Sequence, residues 1–193
     1  MGFVVDETSA LIIVDVQRDF CTGGALPVPD GDSIVPVLNR YVQKFVTARA
    51  PIYATRDWHP PSHVSFTSQG GSWPQHCVQN TDGAAFHPGL ELPEGVTIVS
   101  KALEPSSDAY SGFEGTDLAE NLRKQGIRRL FIGGLATDYC VKHTVLDALD
   151  MGFEVILLED AIRGVEVKAG DSDKAIRDMV ENGAKKATFN QIG

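Results

Sequence analysis

Apolar residues along the chain fall into short runs, and the stretches between them carry a helical rhythm. The runs are "ALIIVDV" (10–16), "PIYATRDW" (51–58), "VTIVSKA" (96–102), "RRLFIGGLA" (128–136), "FEVILLEDA" (153–161) and a weaker "KATFN" (186–190). They carry β-branched residues between turn or polar residues, which predicts strands. The first, fourth and fifth are apolar through their centres rather than alternating. That pattern belongs to strands covered on both faces, as in a parallel sheet.

Four helices are predicted between them. "DSIVPVLNRYVQKFVTAR" sets Val35, Leu38, Val42, Phe45 and Val46 on one stripe, with Asp32 or Ser33 in a capping position. "GTDLAENLRKQG" offers Leu118 and Leu122 and closes at Gly126. "TDYCVKHTVLDALDMG" aligns Val141, Val145, Ala148 and Leu149 before Gly152. "AGDSDKAIRDMVENGA" turns Ile176, Met179 and Val180 inward. Strands alternating with helices predict an α/β domain with a mostly parallel sheet. A ligand crevice is then expected at the carboxyl ends of the strands.

Composition narrows the picture. The 193 residues suit one compact domain, 1–193, large enough to bury a substantial core. A net charge of −9 disfavours nucleic acid and anionic membrane as partners. No apolar stretch approaches the roughly 20 residues of a membrane helix, and the N-terminus lacks a basic leader, so a cytoplasmic protein is expected. Cys21, Cys77 and Cys140 are an odd, dispersed set, which fits a reducing compartment better than a disulfide framework.

Candidate chemistry collects at strand ends. Asp15, Lys101 and Cys140 each lie at or near the carboxyl end of a predicted strand and can converge on one crevice. A carboxylate, an ammonium and a thiol gathered there suit nucleophilic catalysis. Asp15 takes the thiol proton, while Lys101 and the following helix N-terminus favour the thiolate. The plainer alternative is an Asp15–Lys101 ion pair with Cys140 as a small core residue. The segment "GGLAT" permits a tight turn whose outward N–H groups can stabilise an oxyanion.

From His59 to Gly95 no periodicity is convincing, yet the stretch holds four of the five histidines. A loop that long inside a domain is usually functional. Asp57 and His59 share a face of an extended segment, and His76 follows 17 residues on. One carboxylate and two imidazoles suit Zn²⁺, Fe²⁺ or Mn²⁺, with His63 and Cys77 as competing ligands. His87 and His143 read as structural or exposed. Phe20 and Trp73 can flank a flat ring, although either alone is more often core.

Five blocks in order, "IIVDVQRDFCTGGAL", "TRDWHPPSHVSF", "GGSWPQHCVQNTDGAAFHPGL", "VSKALEPSSDAYSGF" and "GGLATDYCVKHTVLDAL", resemble the nicotinamidases of the isochorismatase-like cysteine hydrolases. The resemblance implies a three-layer α/β/α fold with a six-stranded mostly parallel sheet. It implies Asp15, Lys101 and Cys140 as catalytic residues, Asp57, His59 and His76 as metal ligands, and Phe20 and Trp73 against the substrate ring. It further implies a cis peptide at Leu135–Ala136, with the Ala136 and Cys140 N–H groups as oxyanion donors. The activity implied is deamidation of nicotinamide, and of pyrazinamide, through a thioester in NAD salvage, with a divalent metal, zinc foremost. A small-molecule substrate follows, and homo-oligomerisation is left open. The rivals are an amidase for another aromatic amide, a metal or redox sensor, and an aspartyl-phosphate phosphatase. The last needs a second Asp where Gln17 stands.

Overall fold

The computed structural model describes residues 2–193. Six strands form one sheet: β1 (Ser9–Val14), β2 (Ile52–Asp57), β3 (Thr97–Lys101), β4 (Arg129–Leu135), β5 (Glu154–Arg163) and β6 (Lys185–Ala187). Their spatial order is β3-β2-β1-β4-β5-β6, and every pairing is parallel. The helices are α1 (Val35–Ala48), α2 (Leu118–Lys124), α3 (Lys142–Asp150) and α4 (Asp171–Glu181). This is the three-layer α/β/α arrangement that the alternation and the resemblance imply.

The side-chain period of a strand divides the core. In β1, Leu11 and Ile13 join the cluster under α1 with Leu38, Tyr41, Val42 and Phe45. Ile12 and Val14 point the other way, toward Leu118 and Leu122 of α2, Val145 of α3 and Met179 of α4. A strand buried on both faces has no polar position to spare, hence the unbroken apolar runs. Fully burying one such side chain contributes roughly 1.5–3 kcal/mol. Pro36 sits in the first turn of α1, where its missing N–H costs nothing. Neither Asp32 nor Ser33 caps that helix, because a 3₁₀ turn (Gly31–Ile34) precedes it and Ile34 takes the cap position. Val46 and Val180, expected inward, stand at the edges of their apolar stripes and are exposed.

The strand order reverses between β1 and β4, so their carboxyl ends open a crevice at the switch point. Gly134 brings the two strands together there. Its φ is +129°, and a Cβ would lie 2.1 Å from the Val14 carbonyl oxygen, so no other residue fits. Among the described residues no helix is long and apolar enough to cross a membrane.

Candidate active site

Each strand bordering the crevice delivers a functional side chain at its end. β1 stops at Val14, and Asp15 turns the chain with φ +47°, a conformation Asp tolerates better than most residues. Asp57 and Lys101 are the last residues of β2 and β3 and are direct register partners. Past β4 the Leu135–Ala136 peptide is cis, as the resemblance implies. Cys140 does not open an α-helix. It lies in a π turn (Thr137–Val141) that precedes α3, where Tyr139 and Val141 N–H both donate to the Ala136 carbonyl at 3.1 Å.

Asp15, Lys101 and Cys140 meet and are buried. The Lys101 ammonium has three N–H bonds and three directed acceptors: Asp57 Oδ1, the Ala109 carbonyl at 3.1 Å and Cys140 Sγ at 3.5 Å. Asp15 Oδ2 lies 3.0 Å from the same nitrogen yet accepts no directed hydrogen bond. Asp15 Oδ1 is held by the Thr55 hydroxyl at 2.6 Å. One carboxylate oxygen is therefore fixed and the other is open to a proton.

Burial raises the proton affinity of Asp15, an effect that Lys101 offsets and Asp57 reinforces. Burial also pushes the Cys140 thiol well above its ordinary value; Lys101 opposes this, while Asp15 and Asp57 add to it. Burial and the two carboxylates thus favour the thiol form, so the sulfur needs a base, the role expected of Asp15. Lys101 stays charged: burial works against it, but Asp15 and Asp57 hold its pKa well above the usual value.

Asp57, His59 and His76 come together beside this set, each buried, with donor atoms all within 4.8 Å of one another. The donor set fits a divalent metal ion. His76 Nδ1 lies 2.7 Å from the Pro74 carbonyl, which fixes the proton there and leaves Nε2 as a free lone pair. Burial lowers the His76 pKa and keeps the ring neutral, as a ligand must be. His59 Nε2 is 3.5 Å from Asp57 Oδ2. Two donors about 2.1 Å from one Zn²⁺ at a tetrahedral angle lie about 3.4 Å apart. Burial disfavours the Asp57 anion, but Lys101, then His59 and His76, outweigh it and hold the pKa below the usual range.

Neither competing ligand joins the Asp57, His59 and His76 set. His63 Nδ1 meets Ser65 Oγ at 2.7 Å and accepts the Ser65 N–H, while Nε2 meets the Ser107 carbonyl at 3.1 Å. Both ring nitrogens are thus in use, and the ring stacks on His59 at 4.1 Å. Cys77 is buried, and burial pushes its thiol well up. His87 pairs with Asp32 at 3.2 Å, away from the crevice. His143 stacks on Tyr110 at 5.3 Å.

A pocket with about 440 Å³ of atom-free space, mouth included, opens onto Cys140, Asp57, His59 and His76. Phe20 and Trp73 both line it, joined by Tyr110 and Tyr139, which the sequence reading did not single out. Trp73 Nε1 donates to Tyr110 Oη at 3.1 Å, and its ring meets Tyr139 edge-on at 5.0 Å. Thr55 was likewise unmarked; its only signal was a place in a strand two residues before Asp57.

Known proteins resemble this chain in sequence and in fold. Residues 9–191 match the isochorismatase domain. The nicotinamidase of Escherichia coli K12 is 42% identical, over 91% of this chain and 92% of that one. The nicotinamidase/pyrazinamidase of Mycobacterium tuberculosis is 40% identical, over 81% and 87%. Among solved structures, the pyrazinamidase of Pyrococcus horikoshii in complex with zinc superposes with a TM-score of 0.91 at 55% identity, covering 94% of this chain and 99% of that one. PnC1 of L. infantum in complex with nicotinate gives 0.90 at 33% identity, covering 100% and 99%. A domain match that runs from β1 to beyond β6 and relatives this close lead to one conclusion: the chain belongs to the isochorismatase family.

Proposed function

We propose that this chain is a metal-dependent cysteine amidohydrolase that converts nicotinamide to nicotinate and ammonia and also accepts pyrazinamide. One observation carries the reading: Cys140, backed by Lys101 and Asp15, and an Asp–His–His set open onto the same aromatic-walled pocket. The names of the similar proteins, nicotinamidase and pyrazinamidase, agree with it.

In this reading the ring of the substrate lies against Phe20 and Trp73, whose faces suit a flat heteroaromatic. Asp15 Oδ2 takes the Cys140 proton and the sulfur adds to the carboxamide carbon. The N–H groups of Ala136 and Cys140 stabilise the oxyanion. Asp15 then gives the proton to the departing nitrogen, so ammonia leaves and a thioester remains. Water, deprotonated by Asp15, adds to the thioester; the C–S bond breaks, nicotinate is released and Cys140 regains its proton. Lys101 favours the ionised form of both carboxylates beside the sulfur. Asp57, His59 and His76 would hold a divalent ion, zinc foremost, which would supply a Lewis acid to orient the substrate.

The single sheet and the family match over 9–191 support one domain. Three free, buried cysteines support a reducing compartment, and the role in NAD salvage follows from the proposed reaction. The test is ammonia release from nicotinamide by wild type and Cys140→Ala, each with and without chelator. Activity in wild type alone, lost on chelation and restored by zinc, supports the reading. A folded, metal-loaded wild type that releases no ammonia overturns it.

A further inference from the structure

Thr55 is a buried polar residue that the chemistry above leaves without a role. It lies in β2, fully buried, and its hydroxyl donates to Asp15 Oδ1 at 2.6 Å. The Asp15 N–H in turn donates to the Thr55 carbonyl at 3.2 Å and reaches Thr55 Oγ1 at 3.3 Å. The residue therefore grips both the backbone and the side chain of Asp15.

The grip is directional. A Cβ placed on Gly112 would come within 2.8 Å of Thr55 Cγ2, so the Thr55 methyl packs onto the glycine backbone. Gly112 itself is tied by its N–H to Thr144 Oγ1 at 3.0 Å. A β-branched side chain whose methyl is fixed has one place left for its hydroxyl, and here that place faces Asp15. Asp15 Oδ2 meanwhile has no directed donor, although it lies 3.0 Å from the Lys101 ammonium.

We propose that Thr55 is a positioning residue for the base. It pins Asp15 through Oδ1 so that Oδ2 remains the oxygen free to take the Cys140 proton. The inference rests on the reading of Asp15 as base and Cys140 as nucleophile. Thr55 touches neither substrate nor sulfur in this role and acts through Asp15 alone.

Two variants separate donor from shape. Thr55→Val keeps the branched outline and removes the donor; Thr55→Ser keeps the donor and removes the methyl. The readouts are kcat and KM for nicotinamide, zinc bound per chain, and the rate at which neutral iodoacetamide alkylates Cys140. Thr55→Val is expected to lower kcat about tenfold to a hundredfold, the cost of a buried acceptor left unpaired. It leaves KM within about threefold and the zinc content unchanged, and it slows alkylation by a similar factor to kcat. Thr55→Ser recovers most of both rates. Thr55→Ala also lacks the donor and carries the same expectation where the valine chain does not fold. Wild-type kcat and alkylation in the donor-less variants overturn the proposal, as does a serine variant no better than valine. If wild type does not turn over nicotinamide while Thr55→Val still slows alkylation, the substrate reading falls and the positioning role stands.

Discussion

Lys101 is the buried cation on which the crevice depends, and replacing it with Met isolates its electrostatic part. Met matches the length of the chain but brings no charge, so Asp15 and Asp57 are left as two buried carboxylates with their shared counter-ion gone. Removing one partner of a buried ion pair costs about 3–5 kcal/mol. In a chain of this size each kcal/mol shifts Tm by about 2–4 °C, so Lys101→Met is expected to melt about 6–20 °C below wild type at neutral pH. The loss has a definite pH dependence. Without Lys101 the Asp15 pKa, already raised by burial, rises further above its unfolded value of about 3.9. A carboxyl whose folded pKa lies above its unfolded one contributes stability below the unfolded value and loses it as pH rises through the folded value. The gap to wild type therefore narrows on acidification from neutral pH toward that unfolded value. Urea and thermal unfolding at several pH values, on chelated and zinc-saturated protein, measure this. A Tm within about 2 °C of wild type at every pH would refute the reasoning, because the two carboxylates would then not need the cation.

Other outcomes follow from the same geometry. Cys140→Ala is expected to cut turnover by a factor on the order of 10³ or more while zinc content and Tm stay near wild type; steady-state kinetics and metal analysis check it. His76→Ala, which removes a ligand, should weaken zinc affinity by at least about 100-fold in a chelator competition. His63→Ala, by contrast, should keep one zinc per chain, because both His63 nitrogens already serve Ser65 and Ser107. The kcat/KM of wild type should rise with pH on its acid limb as Asp15 loses its proton, with a midpoint above the ordinary carboxylate value of about 3.9. An acid limb at or below that value would contradict the raised Asp15 pKa.

Much of this was legible in the sequence because burial on both faces leaves the centres of β1, β4 and β5 no polar positions, and the apolar runs record that directly. Parallel strands place their carboxyl ends together, so Asp15, Lys101 and Cys140 could be gathered from three distant segments. What escaped depends on register and on local hydrogen bonding. The first apolar run carries through Asp15 to Val16, yet β1 ends at Val14 because Asp15 turns. Nothing in apolar spacing separates an α-helical start from the π turn that holds Cys140. The sharing of Lys101 between two carboxylates follows from the Asp57–Lys101 register, and the sequence reading gave Lys101 only one of them. The preference of Cys140 for its thiol form depends on burial and on two nearby carboxylates, which outweigh the cation. His63 stood as a competing ligand in the sequence, and only the structure shows Ser65 and Ser107 at its nitrogens.

The central claim is that Cys140 carries the acyl group of an aromatic amide. Rapid acid quench of metal-loaded enzyme turning over nicotinamide, followed by peptide mass spectrometry, tests it most directly. The predicted result is a nicotinoyl group on the peptide that contains Cys140, absent in Cys140→Ala and in chelated protein. Turnover with no acyl adduct on Cys140 under quench conditions that preserve thioesters, or an adduct on another residue, would contradict it.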